Sequence, residues 1–224
     1  MKYVVISRPK FDETTNYLYT WASKIITSLK RSNFGVIDLK DKKANKKNIE
    51  NALIKKKPSL VIFNGHGSPT EICGHNNEVL INHENKKHLK SKIVYSISCS
   101  SARELGKKVA DENTSFAGYE EEFIFLIDKN KACTPEKDEI AKPFMDCSNQ
   151  FSISLLKGKT TGEAYEDTKR KYNEWICYFA AKEYLPEASS IIPCLIWNRD
   201  SFILHGNKEK RIFYNKRLKS KMID

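Results

Sequence analysis

The chain has 224 residues, a formal net charge of +11 and 40% hydrophobic residues, which suffices for one domain with a sizeable core. It shows no apolar stretch of membrane-spanning length and no secretory leader pattern, so we expect a cytoplasmic protein with no membrane partner. The six cysteines form no CxxC pair and are expected to be reduced thiols rather than a disulfide framework.

Lysine supplies most of the positive charge and is spread along the chain. This distribution favours a lysine-rich surface over a nucleic-acid footprint, so nucleic acid is not an expected partner. The last stretch, residues 207–224, is strongly basic and is predicted to be a tail outside a single domain of residues 1–206. Such a tail is either mobile or docks an acidic partner.

Short β-branched strands alternate with amphipathic helices in the first part of the chain. Residues 3–7 and 36–39 are predicted strands, and residues 14–31 between them carry apolar side chains at helical spacing. A short helix over residues 48–56 then leads to a strand over residues 60–63. This alternation predicts a mostly parallel sheet covered on both faces, a three-layer α/β/α sandwich.

Two short motifs follow predicted strands. Residues 64–67, Asn-Gly-His-Gly, come after the strand just described, and residues 98–102, Ser-Cys-Ser-Ser-Ala, come after a strand over residues 92–97. In parallel sheets, active sites lie beyond the carboxyl ends of the strands. We therefore expect His66 and Cys99 to meet at one edge of the sheet.

A cysteine attacks a carbonyl carbon as its thiolate, which a helix N-terminus and a nearby imidazole both favour. Ser101 and Glu104 have the spacing of a capping box, which predicts a helix start after Cys99. His66 would activate the thiol or protonate the leaving amine, and the N–H groups of Gly67 and Cys99 would hold the oxyanion. Each motif alone fits a turn or a buried thiol, whereas the pair favours a cysteine-nucleophile hydrolase.

The second half of the chain continues the alternation. Residues 115–119 are a predicted strand, and residues 144–156 and 161–180 are predicted helices. Residues 191–197 and 201–204 are predicted to be two strands joined by a tight turn.

The order of these features resembles that of the caspase-like (clan CD) cysteine peptidases, most closely the gingipain-like and CHAT-type branches. The matching order is a strand, Asn-Gly-His-Gly, a hairpin, a strand, Ser-Cys-Ser-Ser-Ala, a helix and a strand with Ala-Gly-Tyr, and it closes with Trp-Asn-Arg-Asp at residues 197–200. The resemblance extends from Tyr3 to Gly206. It implies a three-layer α/β/α fold, a His66–Cys99 dyad with an oxyanion hole from Gly67 and Cys99, and a protein or peptide substrate; no cofactor or metal is expected.

Many members of that family prefer a basic residue before the scissile bond and bind it with an acidic pocket wall. Glu120, Glu121 and Glu122 follow a predicted strand at the active-site edge, so Glu120, Glu122 or Asp146 is expected to form that wall. These carboxylates fit equally well as charges that offset a basic surface. Other members stay inactive until a linker is cut or an activating protein binds, which makes the polar residues 128–142 a candidate flexible or self-cleaved loop.

Three alternatives belong to other classes. A catalytically silent caspase-like scaffold, or a nucleic-acid-binding adaptor acting through the basic surface and tail, is disfavoured because both His66 and Cys99 are present. Nucleotide binding is disfavoured because no GxGxxG or GxxxxGK[ST] motif follows a strand. A zinc site would need thiolate and imidazole ligands at a compact spacing, which is not that of the candidates Cys73, His75, His83 and His88.

Overall fold

A computed structural model describes residues 2–182 and 184–212. The strands within these residues are β1 Tyr3–Arg8, β2 Gly35–Lys40, β3 Leu60–Asn64, β4 Ile72–Cys73, β5 Val79–Ile81, β6 Ile93–Ile97, β7 Ser115–Tyr119 and β8 Phe202–Gly206. Six of them form the central sheet in the order β2-β1-β3-β6-β7-β8. The first five are parallel, and β8 runs antiparallel to β7.

The helices of the described residues cover the sheet. They are α1 Glu13–Trp21, α2 Ser23–Lys30, α3 Lys46–Lys56, α4 Lys107–Val109, α5 Lys142–Leu156, α6 Thr161–Ala180 and α7 Ala188–Ser201. A π-helical turn, Ala102–Gly106, leads directly into α4. None of these helices combines the length and the apolar character needed to cross a membrane.

Successive residues of the central strands face opposite helix layers. In β3, Leu60 and Ile62 pack into the core shared with α1, α2, α5, α6 and α7, whereas Val61 and Phe63 pack into the core shared with α3 and α4. All residues of β3 and β6 are buried, as expected for a parallel sheet covered on both faces. The predicted three-layer α/β/α class is confirmed.

The predicted strand over residues 191–197 is wrong, because this segment belongs to α7. The buried side chains of α7 recur every three or four positions, which is the spacing of one helix face: Ala188, Ile191, Leu195 and Asn198. Apolar residues on its other faces, including Ile192, Ile196 and Trp197, hide that spacing in the sequence. The second predicted strand of the pair is β8.

The polar segment between β7 and α5 is anchored by Asp138, whose side chain is fully buried. Its carboxylate accepts hydrogen bonds from the Tyr17 hydroxyl at 2.7 Å and from the Asp128 N–H at 2.9 Å. The segment is therefore fixed at both ends, while Lys129 and Lys131 between them are exposed.

Residues 207–212, the first part of the predicted tail, lie against the start of α6. The Gly162 N–H donates to the Lys208 carbonyl at 2.7 Å, and Ile212 is buried in the larger core. Residues 213–224, the remainder of the predicted tail, lie outside the described residues.

Candidate active site

The loop that carries His66 is fixed where β3 ends. The buried side chain of Asn64 donates to the Ser7 carbonyl at 3.1 Å, and the Gly65 N–H donates to the Ile97 carbonyl at 3.2 Å. Gly65 has a φ of 151°, which side-chain-bearing residues rarely adopt. These contacts place His66 at the carboxyl edge of the sheet beside the end of β6.

The Cys99 loop turns sharply directly after β6. Ser100 has a φ of 55°, in the left-handed region, and its N–H donates to the Glu121 carbonyl at 2.9 Å. Non-glycine residues in this conformation are concentrated at functional sites, where surrounding contacts maintain the strain. The turn leaves Cys99 half-buried at the same sheet edge as His66.

The predicted capping box after Cys99 is wrong. Ser101 is fully buried, and its hydroxyl donates to the Ser98 carbonyl at 3.3 Å. The helix instead begins with the π-helical turn Ala102–Gly106, which has no side-chain cap. The helix start predicted after Cys99 is therefore present, but without the side-chain cap.

Asp12, which the sequence did not single out, holds His66. The distance between Asp12 Oδ2 and His66 Nε2 is 2.6 Å. Asp12 also caps α1, because its Oδ1 accepts from the Thr15 N–H at 2.8 Å and from the Thr15 hydroxyl at 2.7 Å. Burial raises the pKa of Asp12, but the Thr15 hydrogen bonds and the His66 contact outweigh it, so this pKa lies below its ordinary value. Asp12 is therefore a carboxylate at neutral pH.

His66 and Cys99 line one open cavity of about 370 Å³, which we call the His–Cys cavity. This volume lies in the ordinary range for ligand pockets. One carboxylate and an apolar wall complete the lining: Glu13, Thr14, Phe123, Ile124, Phe125 and Ile127. The structure thus brings the two predicted catalytic residues together in one cavity that is open to solvent.

The pKa of Cys99 is raised, and burial of the thiol is the largest cause. The Phe123 N–H opposes this by hydrogen bonding to the sulfur, as does the N–H of Cys99 itself, whereas the negative charge of Glu122 raises the pKa further. Cys99 is therefore mainly a thiol at neutral pH, so its proton must be removed during attack. His66, whose imidazole can accept a proton, lines the same cavity.

Gly67 packs tightly against the Cys99 loop. A Cβ atom at this position would lie 2.9 Å from the Ser98 Cβ and 3.0 Å from the Glu71 carbonyl oxygen. Only glycine fits without displacing these neighbours, so its backbone lies directly beside the residue that precedes Cys99.

None of the acidic residues predicted to form the substrate wall lines the His–Cys cavity, although Glu122 is close enough for its charge to act on Cys99. Glu120 lines a neighbouring cavity, Glu122 is exposed, and Asp146 on α5 lies 3.0 Å from Lys24 in an ion pair. Among the carboxylates of the described residues, Glu13 is the one that lines the His–Cys cavity. Glu13 lies at the start of α1, just after Asp12, and no sequence pattern indicated that it would line this cavity.

The zinc alternative finds no support in the described part of the chain, where no group of three or more His, Cys, Asp or Glu side chains is placed to hold a metal ion. His75 instead lies 3.3 Å from Asp41, and its ring packs edge-on against Phe11 at 5.5 Å. Cys73 is in β4, where burial raises its pKa.

No family model and no curated protein sequence matches the chain. Solved structures that match include the crystal structure of the Arg-specific cysteine proteinase gingipain R (RgpB), with a TM-score of 0.58 and 14% identity, covering 94% of this chain and 47% of that one. A complex of the RgpB pro- and mature domains from Porphyromonas gingivalis gives 0.57 and 13%, covering 93% and 47%. The chain therefore spans about half the length of these structures and has a fold similar to the caspase-like gingipain fold.

Proposed function

We propose that the chain is a cysteine peptidase with Cys99 as nucleophile and His66 as general base and acid. The observation that carries this proposal is that His66 and Cys99 line one cavity, with His66 held by Asp12 at 2.6 Å. The similarity to the gingipain fold supports the class of enzyme.

In this mechanism Cys99 Sγ attacks the carbonyl carbon of the scissile bond while His66 removes the thiol proton. The carbonyl electrons move to oxygen, and the N–H groups of Gly67 and Cys99 stabilise the resulting oxyanion. His66 then gives its proton to the leaving amine, the C–N bond breaks, and a thioester remains. Water, deprotonated by His66, attacks the thioester, and the departing Cys99 sulfur regains its proton.

Asp12 would stabilise the imidazolium that forms in this cycle. Because His66 Nε2 faces Asp12, Nδ1 is the nitrogen that would exchange the proton with Cys99. The raised pKa of Cys99 supports proton transfer during attack rather than a thiolate formed in advance.

We propose cleavage after a basic residue, with Glu13 as the carboxylate that receives its charge. Glu13 is exposed, lines the cavity and forms no ion pair within the described residues. The aliphatic part of an arginine or lysine side chain would lie against the apolar wall of residues 123–127. Glu120, Glu122 and Asp146 lie outside this cavity, so Glu13 takes the role expected of them.

Activation by self-cleavage is a further part of the proposal. It is supported by the exposed Lys129 and Lys131, which lie in the segment between β7 and α5. An activating protein partner is the other route, and the two differ in whether the chain itself is cut.

A peptide-library cleavage assay tests the proposal. We expect wild type to cut after arginine or lysine, and Cys99→Ala and His66→Ala to lose about 1,000-fold or more in kcat/KM. The matched control is Cys177→Ala, which removes an exposed thiol on α6 and should cleave like wild type. Glu13→Gln should raise KM for basic peptides about tenfold. Cleavage by either dyad variant at the wild-type rate contradicts the proposal.

A further inference from the structure

A second cavity, of about 510 Å³, lies between the segment that follows β7 and the end of α7. We call it the acidic cavity. Its lining combines three carboxylates with apolar side chains: Glu120, Glu121, Pro193, Ile196, Trp197, Asp200 and Ser201. Nothing in the proposed dyad chemistry uses these residues.

The lining of the acidic cavity suits a basic side chain. Trp197 is 45% exposed and Ile196 is 36% exposed, so water reaches a large apolar surface there. An indole face attracts a guanidinium or ammonium group, and apolar neighbours accommodate its aliphatic part. The carboxylates of Glu121 and Asp200 supply the opposite charge.

The three carboxylates already have cationic neighbours, none of which lines the cavity. Glu120 lies 3.1 Å from Lys107, Glu121 pairs with Arg103, and Asp200 lies 2.8 Å from Arg199. All three are exposed or half-exposed pairs, which contribute little free energy. An ionised carboxylate has about four lone-pair sites and can accept from a second cation at the same time.

The acidic cavity lies close to the His–Cys cavity along the chain. Glu121 lines the acidic cavity and Phe123 lines the His–Cys cavity. Two residues of extended backbone span at most about 7 Å between the Cα atoms of Glu121 and Phe123. A substrate therefore needs only a few residues to reach from one cavity to the other.

Two residues of α7 hold the backbone that runs between the acidic cavity and the His–Cys cavity. Trp197 Nε1 donates to the Glu122 carbonyl at 2.9 Å. The fully buried Asn198 side chain accepts from the Ile124 N–H at 2.9 Å and donates to the Ile124 carbonyl at 2.5 Å. Side chains of α7 thus fix the backbone of Glu122 and Ile124, next to the residues that line the two cavities.

We propose that the acidic cavity is a second subsite, which binds another basic side chain of the same polypeptide substrate a few residues from the cleaved bond. This inference rests on the proposed peptidase function. The chain then selects substrates with two basic residues at a set spacing, one at Glu13 and one at the acidic cavity.

Peptide binding to the Cys99→Ala protein tests the inference without any cleavage. Two peptide sets are compared by isothermal titration calorimetry: one has a single arginine, and the other has two arginines separated by one to three alanines. We expect two-arginine peptides to bind about tenfold more tightly at one spacing. The net charge of +11 opposes a second positive charge, so a gain requires local carboxylates.

The double variant Glu121→Gln/Asp200→Asn, made in the Cys99→Ala protein, should abolish this gain and leave the affinity for the single-arginine peptide unchanged. Glu174→Gln, an exposed carboxylate on α6, is the matched control and should keep the gain. Circular dichroism checks that each variant is folded.

The inference is overturned if no spacing gives tighter binding, or if the gain survives in the double variant. Cleavage of the single-arginine peptide by the wild-type chain is measured separately. Loss of that cleavage contradicts the peptidase function, whereas normal cleavage without a two-arginine gain contradicts only the second subsite.

Discussion

At the scale of single residues, Asp12 links helix formation to the candidate chemistry. One carboxylate oxygen caps α1 through Thr15, and the other contacts His66. The imidazole is therefore oriented by a group that is itself fixed by a helix start. A side chain with this double role can be replaced in a way that separates its two contributions.

Asp12→Asn is the replacement that separates them. Asparagine caps helices about as well as aspartate, so the thermal midpoint should change little, whereas the imidazolium loses its negative partner. We expect kcat for a basic peptide to fall about 10- to 100-fold with KM nearly unchanged. Steady-state kinetics and thermal melting, both at pH 7.5, measure the two effects.

Thr15→Val is the companion variant, since it removes the hydroxyl on the capping side. A fall in the thermal midpoint is expected there, with a smaller loss in kcat. Equal kcat values for Asp12→Asn and wild type would show that Asp12 does not act through His66. The pKa of Asp12 lies below its ordinary value of 3.8, so Asp12 stays ionised beside His66 until the pH falls below 3.8.

At the scale of elements, the segment between β7 and α5 is held by Asp138 on one side of its exposed lysines and by Asp128 on the other. The Asp128 N–H donates directly to the Asp138 carboxylate at 2.9 Å. Tyr17 on α1 donates to the same carboxylate at 2.7 Å, and the Trp21 indole N–H donates to the Pro135 carbonyl at 2.9 Å. A cut between these anchors would leave the new end at Asp128 bonded to Asp138 of the other piece, and that other piece bonded to α1 through Tyr17 and Trp21.

We therefore expect self-cleavage after Lys129 or Lys131 to give two pieces that stay together. Mass spectrometry under denaturing conditions should show two fragments for wild type and an intact chain for Cys99→Ala, while size-exclusion chromatography shows one particle for both. The Lys129→Gln/Lys131→Gln double variant should remain uncut. An uncut chain for wild type as well as for Cys99→Ala would rule out self-cleavage.

The sequence predicted those elements whose pattern is local. The β-branched runs of β1, β3 and β6 identify buried strands, and the turns after β3 and β6 place His66 and Cys99 at one edge. Helix α7 was missed because its apolar residues lie on all sides, which conceals the helical period. The Ser101 spacing was misleading because the Ser101 hydroxyl donates to the Ser98 carbonyl and does not cap the π-helical turn that follows.

The side chains around the dyad were harder to predict, because their partners are distant in the chain. Asp12 and His66 are 54 positions apart, and no local pattern joins them. The glutamates after β7 drew attention as a run, yet Glu120 and Glu121 line the neighbouring cavity and an isolated Glu13 lines the His–Cys cavity. Which carboxylate faces which cavity depends on how α1 and α7 pack.

At the scale of the whole molecule, three tyrosines lie together in the larger core. Tyr95, Tyr119 and Tyr172 are fully buried, and the hydroxyls of Tyr119 and Tyr172 lie 2.9 Å apart. The Tyr95 hydroxyl donates to the Ser148 carbonyl at 2.5 Å. Burial is the largest cause that raises the pKa of each phenol well above its ordinary value of 10.0.

These phenols make stability fall in alkali. A raised folded-state pKa means that the stabilising contribution is complete below pH 10 and is lost as the pH rises, because only the unfolded chain releases the protons. Three such groups lower the free energy of unfolding by about 4 kcal/mol per pH unit above pH 10. Thermal midpoints between pH 8 and 11.5 measure this loss, with the share of the phenolate absorbance at 295 nm that belongs to these three tyrosines appearing only on unfolding.

Tyr172→Phe should reduce that slope by about 1.4 kcal/mol per pH unit, since one buried phenol is removed. A phenolate signal from all three tyrosines in the folded protein would contradict the expectation. So would an unchanged thermal midpoint across the whole alkaline range.

Backbone hydrogen bonds join the loops along the carboxyl edge of the sheet. The Gly65 N–H donates to the Ile97 carbonyl, the Ser100 N–H to the Glu121 carbonyl, and the Glu120 N–H to the Ser201 carbonyl. Main-chain groups are the same for almost every amino acid, so this framework tolerates wide change in side-chain identity. A shared architecture at 14% identity is thus physically reasonable, because the backbone contacts that hold this edge of the sheet do not depend on the side chains.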